Sequence, residues 1–167
     1  MKKAFFQRIL VVFFLLFFLH LLTAPANFLK VTLESGEEVF RKTLPSGLPF
    51  VLRFIHSVEL TPVEGEYRVV GGLIRQWEER IRSHNAGLPA EAPGNGRFLQ
   101  GKDWMTVQGG RAVFSSIRYR VGNCLLGRNS LFLGGEEIKL YRLYPDSVLL
   151  FRAETASFAV RFLSGLF

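Results

Sequence analysis

After residue 27 the apolar positions recur at short, mostly two-residue intervals, and turn residues interrupt them. FLKVTLE (28–34) stops at Ser35-Gly36, and EEVFRKTL (37–44) stops at Pro45-Ser46-Gly47. LPFVLRFIHS (48–57) and EYRVV (66–70) follow, the latter ending at Gly71-Gly72. Beyond the loop NAGLPAEAPGNG (85–96) come DWMTV (103–107), RAVFSSIRYRV (111–121), SLFL (130–133), EEIKLYRLY (136–144), SVLLF (147–151) and TASFAVRFL (155–163). Gly109-Gly110, Gly134-Gly135 and Pro145-Asp146 separate the later segments and read most simply as hairpin turns. Many short strands at this spacing predict an all-β fold, an antiparallel sandwich or partly open barrel, rather than βαβ units.

LIRQWEERIRS (73–83) is the ambiguous segment. Leu73, Trp77 and Ile81 stand at i, i+4 and i+8, and Glu78 and Arg82 at i, i+4, which predicts a short helix. Strict alternation fits less well, because it places charges on both faces. Pairing with neighbouring strands can override the pattern, so helix and strand both stand here.

The N-terminus follows a different rule. MKKAFFQR is basic, ILVVFFLLFFLHLL (9–22) is apolar except for His20, and TAPAN places Ala24 and Ala26 in an A-x-A arrangement. That is the pattern of a secretory signal. A membrane-spanning helix needs about 20 apolar residues; extension through Ala4–Phe6 would serve as an uncleaved anchor. Either way the basic end stays inside and the rest is exported. The expected organisation is a signal peptide or anchor helix over 1–26 and an extracytoplasmic β domain over 27–167, at the outer face of the cell membrane.

Composition changes this picture little. The net charge is +7 over 167 residues; without Lys2, Lys3 and Arg8 there remain 18 basic against 14 acidic residues, or +4. The excess is modest and free of like-charge runs, which favours anionic partners weakly and gives no nucleic-acid footprint. The single cysteine, Cys124, excludes an intrachain disulfide, and its flank VGNCLLG reads as a buried, inert position.

The candidate chemistry lies in FIHSVELTPVEGEYRVV (54–70). His56 extends the stripe of Leu48, Phe50, Leu52 and Phe54, which predicts a partly buried imidazole with one nitrogen bonded to backbone. A role as ligand or general base would need a carboxylate such as Glu59 or Glu64 within reach. Ser57 lacks a nucleophile elbow. Glu59, Glu64 and Glu66 lie close together, but no calcium-loop pattern surrounds them, and solvated turn charges or partners for Arg68 are the simpler reading. With His56 and His84 alone after the N-terminal segment, a three-histidine metal site cannot form. Neither metal nor cofactor is expected. The tail TASFAVRFLSGLF (155–167) alternates at Ala156, Phe158, Val160 and Phe162 and reads as a final strand, or as a segment that docks on a partner or membrane surface.

HSVE (56–59), TPV-E-x-E-Y-R-V (61–69) and AGLP (86–89), with RYRVGNCLLG (118–127) and LFLGGEEIKL (131–140), resemble a family of exported or membrane-anchored bacterial proteins of unknown function, commonly encoded beside TRAP transporters of the TAXI type. The resemblance spans about residues 37–154. It implies an extracytoplasmic or membrane-anchored domain, an accessory to the uptake of organic anions such as carboxylates. The first reading built on it is a non-enzymatic interaction domain that works with the transporter components. The alternative is a small-ligand or ion-binding protein whose pocket uses the loop carboxylates, Arg68 and the turn at Gly87, Leu88 and Pro89. A hydrolase built on His56 with Glu59 or Glu64 is the third reading.

Overall fold

Alternating burial assembles the chain into two open antiparallel sheets that share one core. The computed structural model describes residues 2–83, 91–110 and 112–157. A helix α1 (Lys2–Thr23) leads directly into β1 (Pro25–Leu33). Then come β2 (Glu38–Leu44), β3 (Pro49–Ile55), β4 (Pro62–Val70), β5 (Leu73–Ile81), β6 (Arg97–Gln100), β7 (Met105–Gln108), β8 (Val113–Phe114), β9 (Ser116–Arg120), β10 (Gly127–Leu133) and β11 (Glu136–Ile138). A single helical turn, α2 (Leu140–Leu143), precedes β12 (Val148–Ser157).

The smaller sheet has the order β2-β1-β12-β9. The larger runs β11-β10-β3-β4-β5-β7-β6, with β8 also paired to β5. Leu29, Val31, Leu149 and Phe151 of the first meet Phe50, Leu52, Val69, Ile74, Leu131 and Leu133 of the second. The rings of Phe50 and Phe151 stack across the layers with centroids 6.2 Å apart.

One open choice is decided and two expectations meet a different outcome. Residues 73–81 form a strand, not a helix: Ile74 and Ile81 are sealed in the core while Leu73 and Trp77 face out. A bulge explains why simple alternation failed. Glu66 pairs with Glu78 and Tyr67 with Gln76, so Trp77 is the extra residue, and the inward phase switches from Ile74 and Gln76 to Glu79 and Ile81. EEIKLYRLY divides into β11 and α2. Cys124 is exposed at the tip of the β9–β10 connection, beside Leu125, which is 84% exposed.

Smaller departures follow from pairing. NGRFLQGKDW contributes β6, whose partner β7 gives it a sheet to extend. The gap between the two predicted segments, Arg152–Glu154, disappears inside β12, because Arg152 and Glu154 keep the register with Lys30 and Phe28 of β1. Gly71-Gly72 is a hairpin turn as expected, with both glycines at positive φ; Gly109-Gly110 instead joins β7 to β8, both neighbours of β5. Of the tail, only residues up to Ser157 are described, so Phe158, Val160 and Phe162 lie outside the described residues.

Candidate functional site

Burial places two kinds of polar site on β3, β4 and β5: a corner at one end and a charged face along the larger sheet. The corner is the β3–β4 connection. His56 N–H donates to the Thr61 carbonyl at 2.9 Å, and Leu60 N–H donates to the His56 carbonyl at 2.9 Å. The imidazole Nδ1 accepts from Val58 N–H at 3.3 Å and Glu59 N–H at 3.2 Å. A half-buried histidine therefore caps the turn that follows its strand. Glu59 accepts from Ser83 Oγ at 3.0 Å, tying the corner to the end of β5, and Ser57 is exposed.

The outward face of the larger sheet holds the remaining candidate carboxylates. Glu64 stands opposite Arg53 on β3 and Arg80 on β5. It is only 5% exposed. Arg53 Nε donates to Glu64 Oε1 at 2.6 Å, and Arg80 Nε lies 3.2 Å from Glu64 Oε2. Glu66 accepts from Arg68 through Nε at 3.2 Å and a terminal nitrogen at 2.8 Å. Glu78 accepts from Gln108 Nε2 at 2.9 Å. Cross-strand register sets Glu64 between Arg53 and Arg80, whereas Glu66 stands opposite Glu78 and finds its cation two residues along its own strand. Aromatic rings cover two of the cations, Phe132 under Arg53 at 4.4 Å and Trp77 under Arg68 at 4.1 Å.

The inward face carries a second cluster, of Tyr67, Glu79, Tyr119 and Asn129. Tyr119 Oη donates to the Arg53 carbonyl at 3.3 Å and accepts from Asn129 Nδ2 at 2.8 Å. Burial pushes the Tyr119 phenol up to about 12, against a smaller lowering by the Asn129 bond and a contribution from Tyr67 that adds to the rise. Burial, with the nearby Glu79 charge, raises Tyr67 too, and burial raises the Glu79 carboxyl. The Tyr67 ring occupies the space above Gly65, where a Cβ would stand 2.8 Å from it.

Beside the Trp77 bulge the outward face opens into a cavity of about 470 Å³. Arg75, Gln76 and Trp77 of β5, Arg97 of β6, Gln108 of β7 and Ala112 line it among others. The bulge makes the opening: β5 pairs with β8 before it and with β7 after it, so the two partners diverge there.

Of the residues singled out from the sequence, Glu64, Glu66 and Arg68 share the outward face, while His56, Ser57 and Glu59 form the separate corner. Gly87, Leu88 and Pro89 lie outside the described residues. Among the described residues no group of three His, Cys, Asp or Glu side chains is placed to hold a metal ion. The pattern of the sequence did not single out Arg53, Arg80 or the cavity. Arg53 was within reach of such reasoning, since alternation sets it opposite in face to Leu52; Arg80 and the cavity depend on the bulge, which leaves no signature in residue types.

A family described as a domain of unknown function (DUF1850) matches residues 50–140, more than half of the chain. No curated protein and no solved structure matches it.

Proposed function

The chain belongs to the DUF1850 family, and on that premise we propose that it is a non-catalytic binding domain at the outer face of the cell membrane, an accessory to an organic-anion uptake system of the TRAP-TAXI type. The observation that carries this reading is the outward face of the larger sheet. Its carboxylates at Glu64, Glu66 and Glu78 are each held by a guanidinium or amide. Its arginines are thereby held in fixed positions, and a rigid, pre-paired polar face suits recognition. The same pairing engages the groups that chemistry would need: Glu64 sits between two arginines, and the Nδ1 lone pair of His56 is occupied by backbone N–H groups.

The location rests on α1. Phe6, Ile9 and the apolar residues through Leu19 are exposed on all sides of that helix, the character of a segment that a bilayer covers. Over residues 6–20, whose side chains are described, no helix is long and apolar enough to cross a membrane. A span would draw on the flanking turns, since the full helix of 22 residues rises about 33 Å at 1.5 Å per residue.

The test is made in cells that carry the full chain. Membrane fractionation with protease added outside intact spheroplasts should find the chain membrane-bound and cleaved. Uptake of labelled carboxylates should fall in a deletion strain and return with the wild-type chain, but not with a chain carrying Arg68→Glu and Arg53→Glu that still reaches the membrane. A protease-protected chain, or uptake unchanged by the deletion, would reject the proposal.

A further inference from the structure

We propose that the cavity beside the Trp77 bulge is a binding site for a small organic anion, a carboxylate carried on a flat apolar body. This deepens the binding reading above and rests on it, but it needs neither the transporter nor the membrane. Charge comes first. On the same face Arg53, Arg68 and Arg80 are paired with carboxylates, whereas Arg75 and Arg97 form no ion pair among the described residues. Both line the cavity, from different strands. Two cations without an ion pair therefore stand at this opening, and guanidinium groups bind carboxylates in fork-to-fork geometry.

Shape and surface come next. The volume, about 470 Å³, is that of a small-molecule pocket. Trp77 has one ring face under the Arg68 guanidinium, yet the residue remains 51% exposed along the cavity wall. Ala112 and Val113 continue the apolar lining, and Gln108, whose amide donates to Glu78, adds a polar group. An indole wall beside two cations selects a ligand with a planar body and one charged end. Inorganic phosphate would satisfy the cations but leave the indole and the aliphatic lining facing water.

The experiment uses the full chain in phosphatidylcholine nanodiscs with Trp104→Phe, which leaves Trp77 as the only tryptophan. Its fluorescence is followed during titration with benzoate, succinate and inorganic phosphate at constant ionic strength. Benzoate should give a saturable change. The Arg75→Gln/Arg97→Gln variant should bind it at least about tenfold more weakly, the loss expected of one charge-assisted bond, with its melting temperature unaltered because both side chains are exposed. Benzoate without a saturable response up to millimolar concentration, phosphate binding as tightly as benzoate, or undiminished affinity in the double variant would each overturn the site. Tighter succinate than benzoate would overturn the planar body. An uptake defect without ligand binding, or binding without an uptake defect, separates this proposal from the one above.

Discussion

Single side chains inside the sandwich are tuned by burial more than by charge. The Tyr119 phenol titrates near 12 when folded against 10.0 in a free chain. Below pH 10 both states keep the proton and the bond to Asn129 is fully available. Between pH 10 and about 12 this group ionises only in the unfolded chain, so it alone should lower stability by about 1.4 kcal/mol per pH unit, in addition to what the raised Tyr67 contributes. Tyr119→Phe should cost about 1 kcal/mol at pH 8 and show a shallower decline at pH 11, measured by urea unfolding; equal slopes would remove Tyr119 as the cause. Glu79 gives the opposite lesson. Its carboxyl is raised by burial, so charging it at neutral pH works against the fold. Glu79→Gln should raise the melting temperature at pH 7, and the gain should vanish in acid, where the wild-type group is protonated too. A lower melting temperature at pH 7 would mean that the charged form has a partner that favours it.

At the scale of the element, β5 shows how pairing overrides pattern. Its apolar residues are spaced for a helix, yet two edges of hydrogen bonding to β4 and to β7 and β8 hold it extended. One extra residue, Trp77, reconciles Ile74 and Ile81 with a single inward face. Deleting Trp77 should therefore leave a cooperative β fold, because the remaining residues alternate in register, while closing the cavity. Deleting Arg80 instead would invert the phase between the bulge and Ile81, and that chain should lose cooperative unfolding by circular dichroism. The strands of the core were legible because each carries its own alternation. Arg80 and the cavity were not, because the bulge that aligns them has no residue signature. The His56 corner lies between these cases: the apolar stripe pointed to partial burial, but only the fold of the turn decides which N–H groups meet its ring.

For the whole molecule, the core contains residues of the strands, Val121 just past β9 and Leu140 in α2, and among the described residues none of α1. A chain beginning at Ala24 should accordingly unfold at the same temperature as the full chain and stay in solution without detergent; a large drop would mean that α1 packs on the sandwich. The ends of the sandwich differ. Leu125, Leu126, Val58 and Leu60 are exposed on neighbouring connections at the end where Gly127 pairs with Ile55, while β1 leaves α1 at the opposite end, where Pro25 pairs with Ser157. By itself the sequence determined the β class, the alternation of the core strands and the apolar N-terminal helix, since each is written in the local order of polar and apolar residues. Only the tertiary structure decided the strand state of 73–81, the exposure of Cys124, the arginine partners of Glu64 and the opening beside Trp77. Those depend on which strands lie side by side and where one residue is left over, and contacts between distant segments have no local pattern to announce them.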